Sequence, residues 1–167
     1  VFVPTSLRWI ANADRAIAFG VPPKNGLHSF WEALKGDDIH RDVNPYKCPR
    51  RVFVVRHPVE RFKSLWRNKC RDGEQENLGV SGMTPEQLFE HIQTARDNYH
   101  WTPQVDLLGG VEAEVVRLEG INDWWAENMG GEFPRLHSTE GDVDISPELL
   151  EKIRTRYQSD LRLWHGL

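Results

Sequence analysis

The 167-residue sequence predicts a single α/β domain, residues 1–167, in which a central, mainly parallel sheet is flanked by helices. Two observations carry this. Short uninterrupted apolar runs, the mark of strands buried on both faces, are each followed by a loop and then by a segment of helical composition. The chain also ends on an amphipathic helical pattern, and no internal repeat or low-complexity linker divides it.

Taken in order, Arg15 to Pro23 reads as a short buried strand, an apolar run closed by Gly20, Pro22 and Pro23. Lys24 to Ser29 is a turn around Gly26, and Phe30 to Lys35 has helical composition, with Ser29 as N-cap and Glu32 completing a capping box. Val52 to Val55 is a β-branched run expected at the centre of the sheet. Pro58 then suits the first turn of a helix in which Val59, Phe62, Leu65 and Trp66 recur at helical spacing. Residues 72–83 are polar and glycine-rich, as in a mobile surface loop. Thr84, Pro85 and Gln87 open a helix running to about Ala95. A third strand falls within Val111 to Leu118, a short helix spans Asn122 to Met129, and Ser146-Pro147 starts a terminal helix with Leu149, Leu150, Ile153, Tyr157, Leu161 and Trp164 along one stripe.

A formal net charge of −4 argues against a protein that coats nucleic acid. The charge is nevertheless uneven. Between Lys47 and Arg71 nine basic residues face one acid, Glu60, for a segment charge of +8, so the remainder carries −12. That distribution suits a compact polyanion, and equally a solvated helix face paired with acids elsewhere. Cys48 and Cys70 are too few for a disulfide framework and read as reduced thiols, and no Cys/His spacing resembles a metal site. No apolar stretch is long enough to span a bilayer, and the scarcity of cysteine leans towards a cytoplasmic protein. The chain begins at Val1 rather than Met, which leaves room for an upstream signal or anchor.

Two loops have the parts of an anion site. In the first, Gly26 lets the backbone approach a ligand, amide groups at a helix start face it, and Lys24 adds a charge. The lysine precedes the glycine, so the Walker pattern of ordinary ATPases and kinases is absent. Taken alone, the same residues make an ordinary turn with a surface lysine. In the second, Arg56 closes the central strand and Ser64 follows on the next helix, a guanidinium and a hydroxyl placed to share one phosphate dianion. Arg56 also suits a structural ion pair, and Ser64 a helix-surface hydroxyl. Two such loops imply a ligand with two separate phosphates.

These residues resemble a known family. Pro23 to Ser29 is similar to the 5'-phosphosulfate loop, P-K-x-G-x-x-S/T, of sulfotransferases that use 3'-phosphoadenosine 5'-phosphosulfate. Val54 to Trp66 resembles their 3'-phosphate motif, R-D-P-x-x-R-x-x-S, with His57 in place of the aspartate. His100-Trp101, Pro103 and Gln104 look like the H-W-x-P-Q element of the Golgi-type carbohydrate enzymes, Val116 to Glu119 like the strand entering their E-x-L turn, and Tyr157, Asp160, Leu163 and Trp164 like the closing Y-x-x-D-x-x-L-F. The length, shorter than most relatives, points to a trimmed acceptor site.

The resemblance implies a P-loop-NTPase-like fold and transfer of a sulfuryl group to an acceptor hydroxyl, most readily on a carbohydrate or small hydroxylated molecule, without a metal. Lys24 would stabilise the leaving group, Asn25, Gly26, Leu27, His28 and Ser29 would bind the 5'-phosphate, and Arg56 and Ser64 the 3'-phosphate. His40, upstream of the central strand as in related heparan-type enzymes, is the first choice of base, followed by His100 and then Glu32; a histidine titrates where a hydroxyl proton must be taken at neutral pH. Trp66 and Trp164 fall on core stripes, whereas Trp101 and Trp124 or Trp125 are candidates for lining an acceptor cleft. Two other classes are weighed against this: a small-molecule kinase, which needs a Walker lysine and a magnesium carboxylate, and a non-catalytic nucleotide-binding module of the same fold.

Overall fold

β-Branched and aromatic residues with no polar interruption favour a strand buried on both faces, and Arg50–Val55 forms that strand, β4. Val52 and Val54 face one core, with Phe19, Phe30, Val116 and Trp125; Phe53 and Val55 face another, with Trp9, Ala11, Ala18 and Cys48. The computed structural model describes residues 7–12, 14, 16–34, 40–73, 78–134 and 141–167. Arg15, Lys35, Asp38, Ile39 and residues 74–77 of the expected surface loop lie outside the described residues.

Five described strands form one sheet in the order β3-β1-β2-β4-β5, with β1 at Trp9–Ala11, β2 at Ile17–Gly20, β3 at His40–Arg41 and β5 at Glu114–Arg117. The pairs β2–β4 and β4–β5 are parallel, while β1 is antiparallel to both β2 and β3. The expectation of a mainly parallel sheet therefore holds only for the central trio. The few residues between β1 and β2 allow a hairpin return but no crossover, which forces antiparallel pairing there. Gly20 ends β2 under the Trp9 ring, where a Cβ would come within 2.9 Å of the indole.

The helices are α1 (Leu27–Ala33), α2 (Pro58–Trp66), α3 (Pro85–Thr94), α4 (Gln104–Leu108), α5 (Ile121–Asn128), α6 (Pro147–Arg156) and α7 (Gln158–His165). The Thr84 capping box forms in full, with Thr84 Oγ1 accepting from the Gln87 amide at 3.2 Å and Gln87 Oε1 from the Thr84 amide at 2.9 Å. The expected Ser29 cap does not form. Gly26, at φ 80°, precedes the helix instead, and its carbonyl accepts the Phe30 amide at 3.0 Å, so Ser29 lies buried within the first turn. The single terminal helix is also corrected to two. Tyr157 leaves helical geometry to send its hydroxyl to the Trp101 carbonyl at 2.8 Å, and the break turns Asp160 into the interior.

A third cluster joins α2, α3 and α6 through Phe62, Leu65, Leu88, Phe89, Ile92 and Ile153. Trp101 is buried in it and Trp125 in the first core, so neither lines an open cleft; Trp124 is half-buried. Cys48 and Cys70 are free and buried. No helix among the described residues is long and apolar enough to cross a membrane.

Candidate active site

The chain leaves β2 through buried Val21, Pro22 and Pro23. The Asn25 amide donates to the Pro22 carbonyl at 3.0 Å, closing a turn with Pro23 second and Lys24 third. Lys24 has φ 71°, where such a turn normally carries glycine, at a cost of about 1–2 kcal/mol. The surroundings hold it there. Arg56 Nη1 donates to the Lys24 carbonyl at 2.7 Å, Arg61 Nε to the Pro23 carbonyl at 3.3 Å, and the Lys24 ammonium to Asn68 Oδ1. At Gly26 the backbone is again left-handed, and an added Cβ would meet Leu118 at 3.1 Å, so the loop requires glycine there. Leu27, His28 and Ser29 form the first turn of α1, whose amides have no acceptors within the helix itself.

The second loop starts where β4 ends. Arg56 is half-buried, and Pro58 at the first helical position brings the chain directly into α2, where Ser64 is buried two turns on. Burial lowers the basicity of Arg56; Glu60 and Glu119 oppose this, while Arg67 and Arg61 add to it, so a dianion here would relieve a crowded cation. Each guanidinium nitrogen of Arg61 is engaged, donating to the carbonyls of Pro23, Thr102 (2.8 Å) and Tyr99 (2.9 Å). His57 replaces the motif's aspartate; its amide donates to Glu119 Oε1 at 2.9 Å, and its ring meets Trp164 edge to face at 4.9 Å. A carboxylate from the end of β5 thus stands beside this loop.

One buried amide joins both loops. Gln104 Oε1 accepts from Asn25 Nδ2 at 2.6 Å and from the Arg56 amide at 3.0 Å, and Gln104 Nε2 donates to the Arg56 carbonyl at 2.9 Å. Asn25 Nδ2 also reaches the Val54 carbonyl at 2.8 Å. Behind Gln104, Asp160 accepts the Gln104 and Val105 amides, both at 2.9 Å, and thereby caps α4. Burial pushes the Asp160 carboxyl above its ordinary range, with those amides and Arg61 pulling the other way. Gln104 and Asp160 were outside the expected site, and the H-W-x-P-Q and Y-x-x-D matches marked their positions without giving them a role; Arg61 stands at the second arginine of the 3'-phosphate motif, with no ligand role expected of it.

The expected base candidates are dispersed. His100 is buried beside this centre, its Nδ1 without a partner among the described residues, and its amide donates to Asn98 Oδ1 at 3.0 Å. Burial first, then Lys69, Lys24 and Arg61, push the imidazole down to about 3 from 6.5. The unfolded chain therefore binds this proton at a higher pH than the folded one. The resulting stability is present above pH 6.5 and is lost as pH falls towards 3. His100→Gln is expected to flatten this acid limb, whose slope reaches about 1.4 kcal/mol per pH unit. Urea titrations at neutral and mildly acidic pH check it; an unchanged slope counts against the assignment.

His40 is half-buried on β3, at the sheet edge and in register with Ala11 and, through it, Ala18. That places it two strands from β2, about 10 Å sideways, rather than at the strand ends. Its neighbour Arg41 lies over the Trp31 ring at 4.9 Å, and His28 meets the same ring at 5.2 Å, so an aromatic and cationic ledge links the first loop to β3. Glu32 is exposed on α1. Among the described residues no group of three or more His, Cys, Asp or Glu side chains is placed to hold a metal.

Fold and site together define an α/β domain that gathers cations at the C-terminal ends of two adjacent parallel strands, the usual ligand crevice of such sheets. The model of the sulfotransferase family matches residues 21–121, more than half of the chain and both loops, and the chain belongs to that family. The family supports sulfuryl transfer as the general chemistry. No curated protein and no solved structure matches the chain.

Proposed function

We propose that this protein moves a sulfuryl group from 3'-phosphoadenosine 5'-phosphosulfate to an acceptor hydroxyl, on a carbohydrate or small hydroxylated molecule, by in-line displacement. The observation that carries this reading is the bond from Arg56 to the Lys24 carbonyl, which fixes the two cations of the two loops to one another through a single peptide. A ligand with phosphates at both ends of a ribose matches two cation-bearing loops held at a set spacing. Three buried polar atoms around this point, Asn25 Oδ1, Arg67 Nε and His100 Nδ1, lack a partner among the described residues, as expected of a site shaped for a polar ligand.

Bound there, the donor supplies the sulfuryl group, whose bond to the 5'-phosphate oxygen breaks as the acceptor oxygen attacks. Lys24 turns from Asn68 to the charge developing on that oxygen, an electrostatic role available without a metal. The first turn of α1, from Leu27 to Ser29, holds the 5'-phosphate, while Arg56 and Ser64 hold the 3'-phosphate. His40 takes the acceptor proton. Because His40 stands two strands from β2, this role requires the acceptor to lie along the ledge of His28, Trp31 and Arg41, which runs from the phosphate loop to its strand. His100, whose basicity is suppressed by burial first and then by three neighbouring cations, is the second choice.

Calorimetry with adenosine 3',5'-bisphosphate in the presence of a chelator is expected to show binding, and labelled donor should then transfer sulfate to a member of a glycan and hydroxylated-metabolite panel. Absence of binding rejects the donor assignment; binding with no transfer to any acceptor leaves a nucleotide-binding module. His40→Ala should retain nucleotide affinity and lose about 10²–10⁴-fold in transfer, and wild-type turnover in that variant removes His40 from the mechanism.

A further inference from the structure

We propose that Arg67 is a third ligand of the donor's 3'-phosphate, beside Arg56 and Ser64, and so helps the protein tell a 3',5'-bisphosphate from a 5'-monophosphate; this rests on the donor reading above. The backbone beyond α2 is irregular. After α2 the helix widens into a π turn over Arg67–Arg71, with the Asp72 amide bonded to the Arg67 carbonyl at 2.9 Å. Such turns insert a residue into a helix and recur at functional sites. Here four consecutive residues, Arg67, Asn68, Lys69 and Cys70, are buried, which a regular amphipathic helix with one solvent face does not do.

Arg67 is only 8% exposed. Its Nη1 donates to the Gly141 carbonyl at 2.7 Å, its Nε has no partner, and it forms no ion pair among the described residues. Arg61, equally deep, is the contrast, since its guanidinium is engaged on three carbonyls. A buried guanidinium left partly unsatisfied is costly unless a ligand completes it. Position identifies that ligand. Arg67 follows Ser64 by three residues and shares its helix face, and it lies near enough to Arg56 to disfavour that residue's charge. A phosphate dianion among the three would turn this repulsion into attraction. It also needs more donors than Arg56 and Ser64 offer, because Arg56 Nη1 is already committed to the Lys24 carbonyl.

The test compares affinities for adenosine 3',5'-bisphosphate and adenosine 5'-monophosphate in wild type, Arg67→Met and Arg67→Lys. The preference for the bisphosphate is expected to fall about ten- to a hundredfold in Arg67→Met, the usual range for a charge-assisted contact, and by less in Arg67→Lys, which keeps the charge but loses the planar fork. Melting without nucleotide should be unchanged or raised in Arg67→Met, because an unpaired buried charge is gone; a structural arginine would give the opposite. If Arg67→Met does not fold, Arg67→Lys carries the comparison. A preference unchanged in the variants overturns the role of Arg67 alone. A wild type without any preference overturns the 3'-phosphate reading and this inference with it.

Discussion

Replacing Lys24 by alanine is expected to slow sulfuryl transfer by about a hundred- to a thousandfold, the usual cost of removing one preorganised group that stabilises a leaving oxygen. Affinity for adenosine 3',5'-bisphosphate should change far less, because the proposed role of the ammonium is directed at charge that grows during bond breaking. Lys24 also carries a backbone burden, with φ at 71°. Lys24→Gly separates the two contributions: it removes the same charge but relaxes the left-handed turn, and should melt higher than Lys24→Ala by the equivalent of about 1 kcal/mol. Single-turnover transfer of labelled sulfate and thermal melts of both variants check this. A rate close to wild type in Lys24→Ala would remove the lysine from the chemistry.

The largest effect on stability is expected at Asp160. Its carboxylate is fully buried and accepts the amides of Gln104 and Val105, with Gln104 Nε2 at 3.3 Å as a longer contact. Asp160→Ala leaves those buried donors without an acceptor and releases Gln104, which in turn holds Asn25 and the Arg56 peptide. A loss of about 3–5 kcal/mol follows from breaking such a buried charged network. For a domain of this size that lowers the melting midpoint by about 6–20 °C. Asp160→Asn keeps the shape and one acceptor oxygen and should cost less. Because Gln104 touches both loops, Asp160→Ala should also weaken bisphosphate binding when measured below its melting range. A midpoint within a degree or two of wild type would show that the network does not support the fold.

Legibility from sequence followed range along the chain. β2 and β4 were readable because an apolar run between charged or turn-forming residues has few other uses, and the Thr84 cap because its partners lie within one turn. β1 and β3, of three and two residues, have no period to read, and their antiparallel pairing came from sheet contacts. Ser29 looked like a cap because Glu32 stands three residues on, but Lys24 and Gly26 turn the chain early enough to start α1 at Leu27. The tryptophans divided by burial rather than by spacing: Trp101 and Trp125 are packed inside, while Trp31 and Trp124 are only partly covered.

By itself the sequence determined the cation-rich segment, the two strand-to-helix loops and their likeness to the sulfotransferase motifs. Each of these depends on residues only a few positions apart, whose backbone preferences and charges act locally. Tertiary structure alone decided how the loops are held together, through bonds spanning 79 residues from Asn25 to Gln104, 48 from Arg56 to Gln104 and 56 from Gln104 to Asp160. It also distinguished Arg61, bonded to carbonyls through all three nitrogens, from Arg67, whose Nε has no partner among the described residues, although both stand in the same basic segment. The physical reason is that a side chain's polar partners and its burial are set by what packs against it, and elements distant in sequence do that packing.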